Sequence, residues 1–357
     1  MAIHFHKLTI KDIRKETPEC VSIAFDIPAE IQKDFRFIQG QNVTLRTFTN
    51  GTETRRSYSI CSSPLENELR VAVKKVDNGL FSTFANEELK KGDVLEVLPP
   101  TGTFYTEVKP SQKKNYVFFA AGSGITPVIS IIKTILGTEK KSNVTLLYGN
   151  KNLASVIFKD QLEALKDKYL ERFSLYHIFS REKTESDFNY GRIDVSKLNQ
   201  LSKFIDFNKV DNFFICGPEQ MIFSIKDFLK GWGIESGKIH FELFTTPTKE
   251  HTKIYKAVEP PTPEGSEITV KIDGRSFEFK LGYNEDTILE AGLAQGADLP
   301  FACKGGVCCT CKAKLAEGEV EMEANYGLEK SEIKAGFILT CQSHPRSEKV
   351  VVDYDQA

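Results

Sequence analysis

With 357 residues the chain exceeds one ordinary hydrophobic core, and at about 150 residues per domain it predicts two or three domains. Its 47 basic and 49 acidic side chains leave a formal charge of -2 with no Lys/Arg-rich run, which removes the electrostatic case for nucleic acid or an anionic membrane and favours small molecules or proteins as partners. The opening MAIHFHKLTIKDIRKET carries a charge every few residues, and no window of about eighteen residues is apolar and uncharged, so an unexported, cytoplasmic protein with reduced thiols is expected.

Residues 1–108 alternate apolar and polar positions in VSIAF (21–25), NVTLRTF (42–48), ELRVAVKKV (68–76) and DVLEVLPP (93–100), separated by Gly, Pro and Asp/Asn turns. That period predicts a small antiparallel β-barrel. Within it, Arg56-Ser57-Tyr58-Ser59 offers a guanidinium for a pyrophosphate, a ring to cover a flavin face and a hydroxyl for a flavin ring atom. An edge-strand Arg beside a half-buried Tyr would read the same way. Gly79-Leu80-Phe81-Ser82-Thr83 adds a flexible glycine, backbone N–H groups and two hydroxyls, a set suited to a phosphate.

From 109 to 246 buried strands alternate with amphipathic helices, the pattern of an α/β domain with a mostly parallel sheet. YVFFAA leads into Gly122-Ser123-Gly124-Ile125-Thr126-Pro127 and the apolar helix VISIIKTIL; glycines there let backbone approach a pyrophosphate at a helix N-terminus, although the turn also suits a purely structural role. VTLLYGN, the helix IFKDQLEALKDKY and the strand FSLYHIFS follow. At the end of that strand Ser180 and Arg181 bring a hydroxyl and a guanidinium suited to a 2′-phosphate, which favours NADPH over NADH, against the plain alternative of a surface Arg. NFFI runs into Cys216-Gly217-Pro218, at a strand end that would line a cofactor crevice, and a helix with Met221 follows. KIHFELF, which contains Glu242 and Phe244, closes the region as a strand.

The proline-rich, polar stretch at 247–266 reads as a tether. Residues 267–357 begin with a hairpin, ITVKIDGRSFEFKL, turning at Asp273-Gly274, then the short helix DTILEAGLAQG, capped by Asp286 or Thr287. PFACKGGVCCTCKAKL comes next. Cys303, Cys308 and Cys311, with Cys341 far downstream, have the plant-type spacing for a 2Fe-2S cluster. Zinc is the alternative, since Cys308 and Cys311 form a C-x2-C pair, but a second close pair is missing and no His falls between 252 and 343. Cys309 is expected to be a bystander thiol packed against the loop. Glu317, Glu319, Glu321 and Glu323 alternate along EGEVEMEA and predict four carboxylates on one strand face, as a solvated edge or a docking patch for a basic partner.

The cysteine spacing and the Lys304-Gly305-Gly306-Val307 loop resemble a plant-type ferredoxin domain, which has a β-grasp fold. The order of R-x-Y-S in a barrel, G-S-G-I-T-P and C-G-P resembles the ferredoxin–NADP reductase superfamily. Together they resemble the reductase components of multicomponent oxygenases, nearest those of phenylacetyl-CoA epoxidase systems, which share the Cys-Lys-Gly-Gly-Val-Cys loop. The resemblance implies a multidomain enzyme holding FAD, NADPH or NADH and a 2Fe-2S cluster, and a separate oxygenase, di-iron and multisubunit, as electron acceptor. It also implies that Cys216, with Gly217, Pro218 and Met221 around it, lies near the nicotinamide, and that Glu242 and Phe244 lie near the flavin. Ser59, Cys216 and Glu242 are then the residues at the reacting rings. A redox sensor with the same cofactors, or a carrier whose reductase half has lost them, are the rival classes.

Overall fold

The computed structural model describes residues 3–49, 51–245 and 265–357. Six strands form the first unit: β1 (His6–Thr17), β2 (Cys20–Asp26), β3 (Asn42–Thr49), β4 (Thr52–Ser59), β5 (Leu69–Lys74) and β6 (Val94–Val97). They run antiparallel in the order β4-β3-β6-β1-β2-β5, and a bridge between Ile60 and Val71 brings the two outer strands together, which closes the barrel. The alternation in β2, β3, β5 and β6 has its inward positions in one core that includes Ile23, Val43, Val71 and Leu95. β1 and β4 stand outside the strands anticipated from alternation. Charged side chains crowd β1, and β4 buries the polar Thr54, Arg55 and Ser59, so neither shows an apolar stripe. A helix, α1 (Leu80–Glu87), also went unanticipated; it begins directly after Gly79.

The second unit follows the expected rhythm: β7 (Asn115–Ala121), α2 (Ile125–Thr138), β8 (Asn143–Asn150), α3 (Lys159–Lys168), β9 (Phe173–Phe179), α4 (Val195–Leu201), β10 (Asn212–Cys216), α5 (Glu219–Gly231) and β11 (Ile239–Glu242). Every strand pair is parallel, in the order β11-β10-β7-β8-β9. Strand order reverses between β7 and β10, and the crevice at such a reversal, at the C-terminal strand ends, is where open α/β sheets bind ligands. Gly122, Cys216 and Glu242 all lie at those ends. α2 is apolar almost all round because it is covered on both sides, by this sheet and by the barrel.

The third unit pairs β12 (Ser266–Ile272) and β13 (Arg275–Leu281) through a turn at Asp273 and Gly274, whose φ values of 54° and 69° fit a two-residue hairpin loop. α6 (Ile288–Ala294) follows; Thr287, not Asp286, caps it, accepting from the Glu290 N–H at 3.4 Å. Then come β14 (Lys312–Glu317), β15 (Val320–Met322), α7 (Lys330–Lys334), β16 (Phe337–Leu339), β17 (Ser343–Pro345) and β18 (Lys349–Asp353). The sheet runs β13-β12-β18-β14-β16, with β15 and β17 as a separate pair. The proposed tether at 247–266 lies outside the described residues except for Gly265 and Ser266, the latter opening β12.

The four alternating glutamates do not share one strand face. Gly318, at φ 88°, turns the chain between β14 and β15. Glu317 pairs with Lys349 at 2.9 Å and Glu321 with Arg346 at 2.9 Å, so cross-strand cations neutralise two of them, and Glu323 meets the His344 ring at 2.9 Å. Among the described residues no helix is long and apolar enough to cross a membrane.

Candidate functional site

Pairing of β3 with β4 places Asn42 opposite Ser59 and Thr44 opposite Ser57. At this end of the barrel a cavity of 330 Å³ opens between Arg56, Ser57 and Ser59, the segment Glu242 to Thr245, and Ala302, Cys303, Val307 and Cys308 of the third unit. All three units therefore contribute to its wall. Ser57 donates to Asn42 Oδ1 at 2.6 Å, and Arg56 braces itself on the Arg55 carbonyl at 2.8 Å while staying exposed at the rim. Ser59 donates to Glu242 Oε2 at 3.0 Å, which joins the barrel to the end of β11. Burial pushes the Glu242 carboxyl up to about 8, opposed by that hydrogen bond, so at neutral pH it is mostly a protonated acid.

Cys216 sits opposite both Glu242 and Ala120 in the sheet and is fully buried. Burial, and then the Glu242 charge, raise its thiol well above the ordinary value, so it is a neutral, close-packed group. Gly124 is required for packing here: a Cβ on it would lie 2.1 Å from the Cys216 carbonyl oxygen. Gly217 likewise faces Met221 and Ala121. Gly122 adopts φ 53° and its carbonyl accepts from the Tyr148 hydroxyl at 2.9 Å. Ser123 is half-exposed, whereas Thr126 and Pro127 are buried, with the Thr126 hydroxyl donating to the Ser123 carbonyl at 3.0 Å. The G-S-G-I-T-P turn thus offers backbone, not the Thr126 hydroxyl, to the crevice. Phe244 is 41% exposed and lines the cavity beside Glu242.

Other expected site residues lie apart from this cavity. Tyr58 points to the opposite side of β4, where its ring tilts against Phe81 at 5.4 Å, and burial raises its phenol. That contact links Tyr58 to the Gly79 turn. Gly79 starts α1, whose first N–H groups have no carbonyl one turn back. Ser82 is buried; its hydroxyl accepts from the Val76 N–H at 3.2 Å and donates to the Gly79 carbonyl at 3.2 Å. It closes the turn, which leaves Thr83, half-exposed, as the hydroxyl facing outward. Ser180 and Arg181 follow β9, their N–H groups held by the Asn150 and Lys151 carbonyls at 2.9 Å each, with the Arg181 side chain exposed.

At the cysteine loop the four thiols interact in pairs. Cys303 interacts with both Cys308 and Cys341, and Cys341 also with Cys311. Those neighbours, aided by the Gly305 N–H at 3.3 Å, pull the Cys303 thiol down, while Cys308 and Cys341 are pushed up by Cys303 and by burial. Four cysteines are the residue types that would hold an iron–sulfur cluster, as thiolates. Lys304 at φ 51° and Gly306 at φ 74° bend the loop. Cys309, at φ 59°, is packed in the apolar core of the third unit with its Sγ against Gly327, and burial raises its thiol. Asn42, Ala302 and Val307 in the cavity wall were not anticipated; only the pairing of β3 with β4 and the docking of the third unit bring them there.

Residues 7–105 match the oxidoreductase FAD-binding domain, 118–227 the oxidoreductase NAD-binding domain and 270–346 the 2Fe-2S iron-sulfur cluster binding domain. The chain is 45% identical to a subunit of the 1,2-phenylacetyl-CoA epoxidase of Escherichia coli (strain K12), over 98% of each chain. It is 31% identical to the ferredoxin reductase component of 3-ketosteroid-9-alpha-monooxygenase from Rhodococcus rhodochrous, over 97% of this chain and 96% of that one. The structure of phthalate dioxygenase reductase shares its fold, with a TM-score of 0.58 at 24% identity over 98% of both chains. The protein belongs to the family of oxygenase reductases, NAD(P)H-dependent enzymes that pass electrons through FAD and a 2Fe-2S cluster to a partner oxygenase.

Proposed function

We propose that this reductase serves a phenylacetyl-CoA epoxidase, a multisubunit di-iron oxygenase, in the cytoplasm. The observation that carries the reading is 45% identity to a protein of such an epoxidase over 98% of both chains. When bound, FAD supplies the change from two-electron to one-electron transfer, and the 2Fe-2S cluster supplies a one-electron outlet. The chain's own residues hold and insulate these groups. Arg56 and the first-turn N–H groups of α1 and α2 offer positive charge and donors to phosphates. Ser59 and the protonated Glu242 form a hydrogen-bonded pair where the barrel meets β11, beside the neutral Cys216, and Phe244 shields the cavity from water. Tyr58 offers its ring on the other side of β4. Cys303, Cys308, Cys311 and Cys341 are the cluster ligands. Ser180 and Arg181, at the end of β9, favour NADPH.

The test is reconstitution. The purified holoprotein, mixed with the oxygenase subunits of a phenylacetyl-CoA epoxidase, is expected to support NADPH-driven epoxidation of phenylacetyl-CoA, with a higher kcat/KM for NADPH than for NADH. Efficient coupling to a ketosteroid monooxygenase but none to the epoxidase would overturn the partner; a preference for NADH would overturn the coenzyme.

A further inference from the structure

We propose that Arg55 is a positioning residue for electron transfer from flavin to cluster: it clamps the arm leading into the cysteine loop onto the flavin barrel. Arg55 neighbours Arg56 in β4 but has the opposite environment, with 7% exposure against the open rim position of Arg56. Its guanidinium lies over the Phe301 ring at 4.2 Å and over Phe5 at 5.2 Å. Nη1 donates to the Leu299 carbonyl at 3.2 Å, and Nη2 stands 3.6 Å from Asp298 Oδ1. Nε donates to Glu53 Oε1 at 2.6 Å. A buried guanidinium that meets a carboxylate, a carbonyl and a ring within its planar fork is fixed in position, and lysine cannot reproduce that geometry.

The placement gives the clamp its role. Leu299 and Phe301 precede Cys303 by four and two residues, and Cys303 lines the same cavity as Ser59 and Glu242. Thr310, between Cys309 and Cys311, shares a hydrogen bond with Thr44 of β3 at 3.0 Å, and both are almost fully buried. The loop is therefore pinned at its entrance by β4 and near its exit by β3, the strand pair that carries Arg56 to Ser59. Electron transfer weakens steeply with separation, so Arg55, which fixes this gap, sets the rate without touching either redox group, whereas the Thr310 hydroxyl also reaches the Cys308 thiol. Nothing in the R-x-Y-S pattern marks Arg55, which lies one residue ahead of it.

The proposal rests on the electron route from flavin to cluster, and the experiment separates the two. In stopped-flow reduction of the full-length holoprotein by NADPH, Arg55→Gln is expected to keep the wild-type rate of flavin bleaching and to slow cluster bleaching about tenfold or more. Arg55→Lys, which keeps charge but loses the fork, should recover only part of that loss. Hydrogen exchange on the same variants without NADPH should show lost protection at residues 299–303, with β12 and β18 unchanged. Thr44→Val, nearly isosteric, removes the bond to Thr310 from the barrel side, should slow cluster bleaching in the same direction by less, and serves if Arg55 variants fold poorly. Wild-type cluster bleaching in Arg55→Gln and Thr44→Val, or equal slowing of both steps with reduced flavin content, would overturn the proposal. Failure of NADPH to reduce the wild-type flavin would instead overturn the route itself.

Discussion

The barrel meets its two neighbours through joints of opposite chemistry. Toward the nicotinamide domain, Cys20, Cys61, Ala72 and Phe104 of the barrel share one buried apolar cluster with α2, β7, β8 and β10. The Phe104 ring meets Phe214 edge-on at 5.5 Å, Ser130 donates to the Ser62 carbonyl at 2.6 Å, and Ser63 and Thr134 share a hydrogen bond of 2.8 Å. Toward the ferredoxin domain the contacts are mainly polar: Arg55 with Leu299 and Phe301, Thr44 with Thr310, Thr103 with the Gly327 carbonyl at 2.9 Å, and His4 with Asp273 at 2.9 Å. The ferredoxin domain keeps a separate apolar core, with the partly buried Val307 and Tyr326 leaning on the nicotinamide domain. Opening the first joint would expose apolar surface, at about 25 cal/mol per Å². Opening the second exchanges hydrogen bonds for water, at a net cost of about 1 kcal/mol each. The first joint makes one body of two domains; the second docks a module.

The largest test of that contrast removes the module's cofactor. Cys341→Ser is expected to abolish the visible and paramagnetic signals of the cluster while leaving flavin absorbance and the unfolding of the front two domains unchanged. A retained cluster would sink the ligand assignment, and a destabilised front half would show the two bodies to be one. The next test works from the other side. Phe104→Ala empties a site that is 5% exposed at the apolar joint and is expected to cost the front body about 3 kcal/mol by denaturant unfolding. The cluster spectrum should persist through that transition; loss of both signals together would break the comparison.

The same contrast explains what could be read from the sequence. The ferredoxin fold was legible because Cys303, Cys308, Cys311 and Cys341 have the plant-type spacing, and its hairpin announces itself through Asp273-Gly274. The parallel sheet was legible because its central strands β7 and β10 are apolar and buried almost end to end, as both faces are covered there. β1 and β4 were hidden by polar side chains whose partners are far away: Arg55 belongs to Leu299 and Phe301, and Ser59 to Glu242. No local period encodes such pairs. Ser82 shows the converse limit, since a hydroxyl read as a phosphate donor closes its own turn. The glutamate ladder failed because Gly318 breaks the strand, and because Lys349 and Arg346 arrive from the end of the chain.

The smallest effect belongs to Cys309, and it probes the module from within. Its Sγ lies so close to Gly327 that a Cβ there would approach it to 2.5 Å, and its neighbours are the apolar residues of the ferredoxin core. Burial holds the thiol in its protonated form, the poor nucleophile and poor metal ligand. Cys309→Ser exchanges that thiol for a hydroxyl that must find a partner in apolar surroundings, at a cost of about 1 kcal/mol to the ferredoxin domain. The cluster spectrum and the rate of cluster reduction should match wild type, because neither a ligand nor the contacts to β3 and β4 change. In the wild-type protein a thiol reagent should label Cys309 only on unfolding. Loss of the cluster in Cys309→Ser would put this sulfur among the ligands, and fast labelling of the native protein would move it out of the core.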